Sequence, residues 1–358
     1  MRAIASSGQA SDAPFIPHVL SNMKAMLLRA LGPLAENPDP LLMSDVPEPL
    51  LADGEVLIRV RACGVCHTEL DEIEGRTPPP HLPVVPGHQV VGVIEGGPDS
   101  GKRVGAAWIH SACGTCEYCT SGRENLCQQF QATGRDVDGG YAQYMRVRRD
   151  FCYAIPDSLS DSEAAPLLCA GAVGYRALGL ANLHDGMSLG LTGFGASNHL
   201  VLKTARHKYP NSDVFVFSRN PQERALALEI GARWAGAIDD PPPVQLGAII
   251  DATPVWRPVT QALRHLAPGG RLVINAIRKE DSDKQELQSV DFPTQLWLEK
   301  EIKSVANVTR RDVQDFLALA AEAGIKPEFE EFELKDANRA LLELKQGKIR
   351  GAKVLRVA

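Results

Sequence analysis

Leu189-Gly190-Leu191-Thr192-Gly193-Phe194-Gly195-Ala196-Ser197-Asn198-His199-Leu200 reads as a strand, a glycine turn and the first turn of a helix. Gly193 permits the tight turn, and Gly195 lets backbone come close to a pyrophosphate at the helix N-terminus. Ala196 and Ser197 open that helix, where unpaired amides face an anion. The third fingerprint position holds Asn198 instead of Gly or Ala, so helix and strand are expected to pack slightly farther apart. A plain strand-turn-helix has the same pattern, so the surroundings decide.

Outward from this turn, strands and helices alternate. Apolar runs at 188–191, 214–217, 248–251 and 272–274 are the expected strands, with helical stretches at 199–208 and 221–230 between them. Such alternation predicts a doubly wound parallel sheet covered by helices on both faces. Pro241-Pro242-Pro243 marks a loop inside it. The second strand ends at Phe217-Ser218-Arg219, where an NAD enzyme usually places an acid for the ribose hydroxyl. Ser218 removes that carboxylate and Arg219 supplies a fork for a 2′-phosphate, which favours NADP. An exposed Arg in a turn before Pro221 is the plainer reading.

Up to about residue 155 the pattern differs: short strands bounded by Gly and Pro, with alternation over 55–60 and apolar runs at 84–85, 90–94 and 103–109. This is a compact β domain. Ser160-Asp161-Ser162-Glu163 has capping-box spacing and marks a helix start. Beyond 307, amphipathic stretches at 313–323 and 336–344 precede an edge-like strand at 353–357.

The whole chain has 358 residues, 44% hydrophobic and 23% charged, enough for two buried cores. Lys+Arg 38 against Asp+Glu 44 leaves a net charge of −6, which argues against nucleic acid or an anionic membrane as partner. Residues 1–22 carry one Arg, no Lys and no apolar core of a secretory signal, and read as a flexible extension. The expected compartment is cytoplasmic, where thiols stay reduced, so eight cysteines ask for a metal.

Cys113-Gly-Thr-Cys116-Glu-Tyr-Cys119, followed by Cys127, has the spacing of a four-thiolate zinc site. Four thiolates close the coordination shell, so such a site is structural. Reduced or disulfide-bonded loop cysteines and a zinc-ribbon module are the alternatives. Cys66, His88 and Cys169 stand alone in sequence, and a lone buried Cys or His is more often a packed core residue.

A resemblance joins them. Gly64-Val65-Cys66-His67-Thr68, Gly87-His88, the four-cysteine lobe, Cys169-Ala170-Gly171, the turn at Gly193 and the closing Gly347-Lys-Ile-Arg350-Gly351 follow in one order. In this the chain resembles the zinc-containing medium-chain alcohol dehydrogenases of the bacterial NAD(P)-dependent type. The resemblance implies an α/β chain with a GroES-like, β-rich catalytic domain and a Rossmann cofactor domain. The expected division is 23–173 for the catalytic domain, 174–307 for the cofactor domain and 308–358 for the return to the first.

By the same resemblance Cys66, His88 and Cys169 are the catalytic zinc ligands, Thr68 takes the substrate proton, Glu69 orients His88, and His67 lies near the cofactor pyrophosphate. Two departures stand out: Gln89 replaces the usual Glu after the ligand histidine, and Asp71 occupies the place of a relay histidine. Cys63 reads as a packed small residue, Cys152 is unassigned, and Trp108 with Ile109 would either wall the pocket or belong to the β core.

The implied reaction is hydride transfer between a primary or secondary alcohol, or its aldehyde, and NAD(P), with zinc polarising the substrate oxygen. Two Zn2+ per chain, NADP preferred over NAD, and a homodimer or homotetramer complete the expectation. A quinone or enone reductase using NADPH, or a non-catalytic cofactor-binding protein of the same fold, are the competing readings. The intact ligand set counts against both.

Overall fold

A computed structural model describes residues 22–348 and 350–357. Residues 1–21, most of the expected extension, lie outside that range, and Asn22 already opens a strand.

The β-rich half is organised by one long strand, Glu55–Val65. Its side chains alternate between half-buried and buried, as the 55–60 pattern predicts, and its last four residues are wholly buried. One edge pairs antiparallel with Val90–Glu95. The other carries Tyr144–Arg148 on residues 55–59 and the C-terminal strand Ala352–Arg356 on residues 62–65. Arg103–Ala106, Cys152–Ala154 and Phe329–Glu333 complete a seven-stranded sheet drawn from both ends of the chain. The run 103–109 is not one strand: it breaks after Ala106 and resumes as Ile109–Ser111.

The strand expected at an edge near the C-terminus is an interior one. Ala352–Arg356 pairs in parallel with Phe329–Glu333 on one side and antiparallel with Glu55–Val65 on the other. Its buried residues include Lys353, whose ammonium is neutralised by Glu330 and Glu343, so a charged residue there did not mean solvent.

The second sheet has six strands, all paired in parallel. In chain order they are Leu189–Thr192, Val214–Phe217, Trp234–Gly236, Leu246–Asp251, Leu266–Ile274 and Glu301–Ser304. Their spatial order is third, second, first, fourth, fifth, sixth, the doubly wound arrangement. The first two strands are buried at every position because helices cover both faces. Pro241 to Pro243 lie in a loop of this half.

The connecting helices begin where their caps predict. Ser160 Oγ accepts from Glu163 N at 3.2 Å, and Glu163 accepts from Ser160 N at 2.7 Å. From there the chain is helical through Asp161–Pro166, a π-turn at Leu167–Gly171, and Ala172–Leu180. The returning helix Arg310–Ala323 packs Val313, Phe316 and Leu317 against Leu167, Leu168 and Leu200. That core cluster also contains Ala62 and Val91 of the first sheet, so one apolar contact spans both halves. Arg176 pairs with Asp312 at 2.6 Å, bringing the departing helix onto the returning one.

Candidate active site

Cys66 ends the long strand and caps the helix His67–Ile73 with extended backbone, φ −129°. Glu69, one turn on, accepts from Cys66 N at 2.8 Å through Oε2. Its Oε1 lies 2.6 Å from His88 Nδ1, with both groups buried. That contact assigns the Nδ1 proton and turns Nε2 toward Cys169 Sγ, 3.3 Å away. Cys169 comes from the π-turn, whose extra residue re-aims one side chain out of a regular helix. The ligand atoms of Cys66, His88 and Cys169 all lie within 4.8 Å of one another.

The electrostatics are those of an anionic pocket. Cys66 is held well below the ordinary thiol range, first by its hydrogen bond with Cys169 and, against burial, by His88. Burial opposes charge on His88, but Glu69 and Cys66 outweigh it and hold the imidazole well above its usual range. Two soft sulfurs and one imidazole anchored by a carboxylate form the donor set that zinc takes in an open site. The residues fit that ion. Thr68 Oγ1 lies 3.6 Å from Cys66 Sγ, and His67 is exposed at the helix start.

Cys113, Cys116, Cys119 and Cys127 converge in the same way, with their sulfurs within 4.8 Å. None is in a disulfide. Amides aim at the sulfurs: Cys116 N donates to Cys113 Sγ at 3.3 Å and Gln129 N to Cys127 Sγ at 3.4 Å. The amides of Thr115 and Cys116 lower Cys113 to about 6, so a thiolate is available near neutrality. The lobe is tied to the chain's return point. Asn125 Nδ2 donates to Ala306 O at 2.8 Å, and Glu124 accepts from Arg310 N at 2.7 Å.

In the parallel-sheet half, Gly193 takes φ +74° between the first parallel strand and the helix Ala196–Lys208. Gly195 caps that helix, and a Cβ built on it would meet no atom within 4 Å. The first amides of the helix therefore face open space that suits a pyrophosphate.

Residues 52–157 match the family described as the alcohol dehydrogenase GroES-like domain. A probable alcohol dehydrogenase of Mycobacterium tuberculosis is 41% identical over 350 residues, covering 95% of this chain and 99% of its own. The chain belongs to the zinc-containing medium-chain alcohol dehydrogenases. An alcohol dehydrogenase of Geobacillus stearothermophilus is 36% identical over 88% of this chain and 96% of its own. Among solved structures, a cinnamyl alcohol dehydrogenase of Sorghum bicolor superposes with TM-score 0.79 at 26% identity, over 94% of this chain and 98% of that one.

This medium-chain dehydrogenase meets expectation at some of these positions and departs from it at others. Asn198 is buried, and its Nδ2 donates to Thr192 O at 3.0 Å and Gly193 O at 2.7 Å, so the larger side chain stitches the turn. Ser218 is not free: its Oγ donates to Glu223 Oε2 at 2.5 Å. Arg219 is exposed, and among the described residues nothing bonds its guanidinium. Asp71 is held by Arg76 at 2.5 Å and by Arg278 at 3.1 Å. Arg278 follows the fifth parallel strand, so that pair crosses from the parallel-sheet half to the β-rich half. Gln89 is buried against Gly64. Trp108 and Ile109 belong to the β core, with Trp108 packed on Phe130. Cys63 is fully buried, as a packed residue would be.

Residues that no motif marked also brace the strand ends around the glycine turn. Asp251, at the end of the fourth parallel strand, accepts from Thr192 Oγ1 at 2.5 Å and Thr253 Oγ1 at 2.7 Å. Lys279 Nζ closes this network on Asp251 and donates to Thr253 O at 2.7 Å. Asn275 Nδ2 donates to Ser197 Oγ at 3.1 Å. A lone Asp, Lys or Asn carries no spacing signal, so only the fold reveals them.

Proposed function

We propose that the protein interconverts a primary or secondary alcohol and its aldehyde or ketone by hydride transfer with a nicotinamide dinucleotide. The observation that carries this is the convergence of Cys66, His88 and Cys169 from three separate segments into one ligand cluster, in a chain that also carries an open dinucleotide turn. Bound by those three residues, zinc would supply Lewis acidity at a fourth, open position. Glu69 fixes the imidazole through Nδ1. The Thr68 hydroxyl, 3.6 Å from Cys66 Sγ, accepts the substrate proton while releasing its own outward to solvent. Asp71, locked between two guanidinium groups, serves as an ion-pair anchor in place of a relay base.

On the cofactor side, Gly193, Gly195, Ala196 and Ser197 cradle the pyrophosphate, with His67 facing it from the catalytic half. Ser218 and Arg219 receive the adenosine ribose, and the unpaired Arg219 favours NADP while NAD remains usable. A second zinc in the four-cysteine lobe is structural. We divide the chain into a GroES-like catalytic domain at 23–173, a Rossmann cofactor domain at 174–307 and the return at 308–358. Eight cysteines free of disulfides support a cytoplasmic location. No described helix is long and apolar enough to cross a membrane. The exposed sixth strand of the parallel sheet supports a homodimer or homotetramer.

The deciding experiment measures NADPH and NADH oxidation with a panel of aldehydes, alongside metal content. Wild type should turn over and carry two zinc ions. Cys169→Ser should lose turnover while retaining its fold and cofactor binding. Full activity in Cys169→Ser would refute the reading and return the chain to the enone reductase or cofactor-binding alternatives.

A further inference from the structure

The corner that should receive the adenosine ribose contains a carboxylate. The second parallel strand, Val214–Phe217, ends beside the glycine turn, where Gly193 N donates to Phe217 O at 2.8 Å. The next residue, Ser218, is buried, and its hydroxyl donates to Glu223 at 2.5 Å while accepting from Asn220 N at 3.1 Å. Glu223 stands half-buried in the first turn of the helix Pro221–Glu229. Arg224, its neighbour, is spent on Ser218 O at 2.7 Å. Among the described residues, no cation pairs with Glu223, and its Oε1 has no partner. A charge removed from position 218 is thus restored from five residues downstream, fixed there by the serine that replaced it.

We infer that Glu223 sets the dinucleotide preference of this enzyme. Its carboxylate accepts a hydrogen bond from the ribose hydroxyls of NAD and repels the 2′-phosphate of NADP, offsetting the pull of Arg219. A carboxylate accepts from a hydroxyl and has nothing to donate to a phosphate, so the two cofactors feel opposite effects from one side chain. Arg219 acts in the reverse sense. The pair gives a site in which both cofactors are used and neither is excluded. This rests on the dinucleotide reading above and adds the residue that tunes it.

Equilibrium binding of NADH and NADPH, followed by cofactor fluorescence without substrate, tests the assignment in wild type, Glu223→Gln and Arg219→Ala. Glu223→Gln keeps an acceptor for Ser218 and removes the charge. It should tighten NADPH by about fivefold, the effect of deleting one solvent-screened like-charge contact, and leave NADH unchanged or weaker. The gain should shrink as ionic strength rises. Arg219→Ala should weaken NADPH and spare NADH. A ratio of the two Kd values that stays constant in Glu223→Gln, with a lowered Tm, would overturn the inference and leave Glu223 as a helix-turn residue. Failure of wild type to bind either cofactor would instead overturn the dinucleotide reading beneath it.

Discussion

Glu69 bridges Cys66 N and His88 Nδ1, so a single carboxylate sets both the backbone of one ligand and the tautomer of another. Glu69→Gln keeps the shape but loses the charge, and zinc affinity at the three-ligand site should fall by about 10- to 100-fold. Chelator competition measures this, and an unchanged affinity would reduce Glu69 to a packing residue. A second residue, His199, reports on pH. Its Nε2 accepts from Glu328 N at 3.3 Å, so Nδ1 carries the proton and donates to Gly195 O at 3.2 Å. Burial lowers it from 6.5 to about 4. The unfolded chain therefore binds a proton that the folded chain refuses between those values, and stability falls as pH drops from about 6.5 toward 4. The contribution present above that window is on the order of 3 kcal/mol. Urea midpoints against pH should slope less steeply through that window in His199→Gln than in wild type.

Elements differ in how openly their sequence declared them. Val214–Phe217 stands where its apolar run put it, and the Ser160 box opens a helix as its spacing required. Phe329–Glu333 went unread because four of its five residues face outward or half outward and three are Glu. Leu41–Pro47 likewise exposes Leu42 and Met43. The three candidate zinc ligands could be joined only by resemblance, since their meeting depends on a π-turn that no propensity announces. Glu223 escaped because a missing acid at position 218 drew attention to one residue, whereas the charge arrives from the following helix. The four-cysteine lobe was plain from spacing, but its anchorage was not. Through Asn125 and Glu124 it holds residues 306–310, so losing the metal should free more than the lobe. Cys113→Ser is expected to lower Tm and solubility while the three-ligand site keeps its zinc, as metal analysis of the soluble fraction would reveal.

At the scale of the molecule, the parallel sheet ends in an open edge. Every residue of Glu301–Ser304 is exposed, with Ile302 at 48% and Trp297 nearby at 58%. Unpaired backbone beside apolar side chains is a template for a second strand. Antiparallel pairing about Ile302 would set Glu301 of one copy against Lys303 of the other. Ile302→Asp should therefore shift the protein to a smaller species by light scattering, and a wild type that is already monomeric would refute this.

The meeting of the departing and returning helices through Arg176 and Asp312 also bears on how the chain reaches its native state. Gly64 must find Val354 across nearly the whole chain, and closing a loop that long is slow while the intervening segment is unstructured. The six-stranded sheet is assembled from neighbouring stretches and needs no partner from outside 189–304. Once it forms, the helices Ala172–Leu180 and Arg310–Ala323 that flank it can meet through Arg176 and Asp312, and the loop left to close is shorter. Amides of residues 214–217 should then gain exchange protection during refolding before those of 353–356.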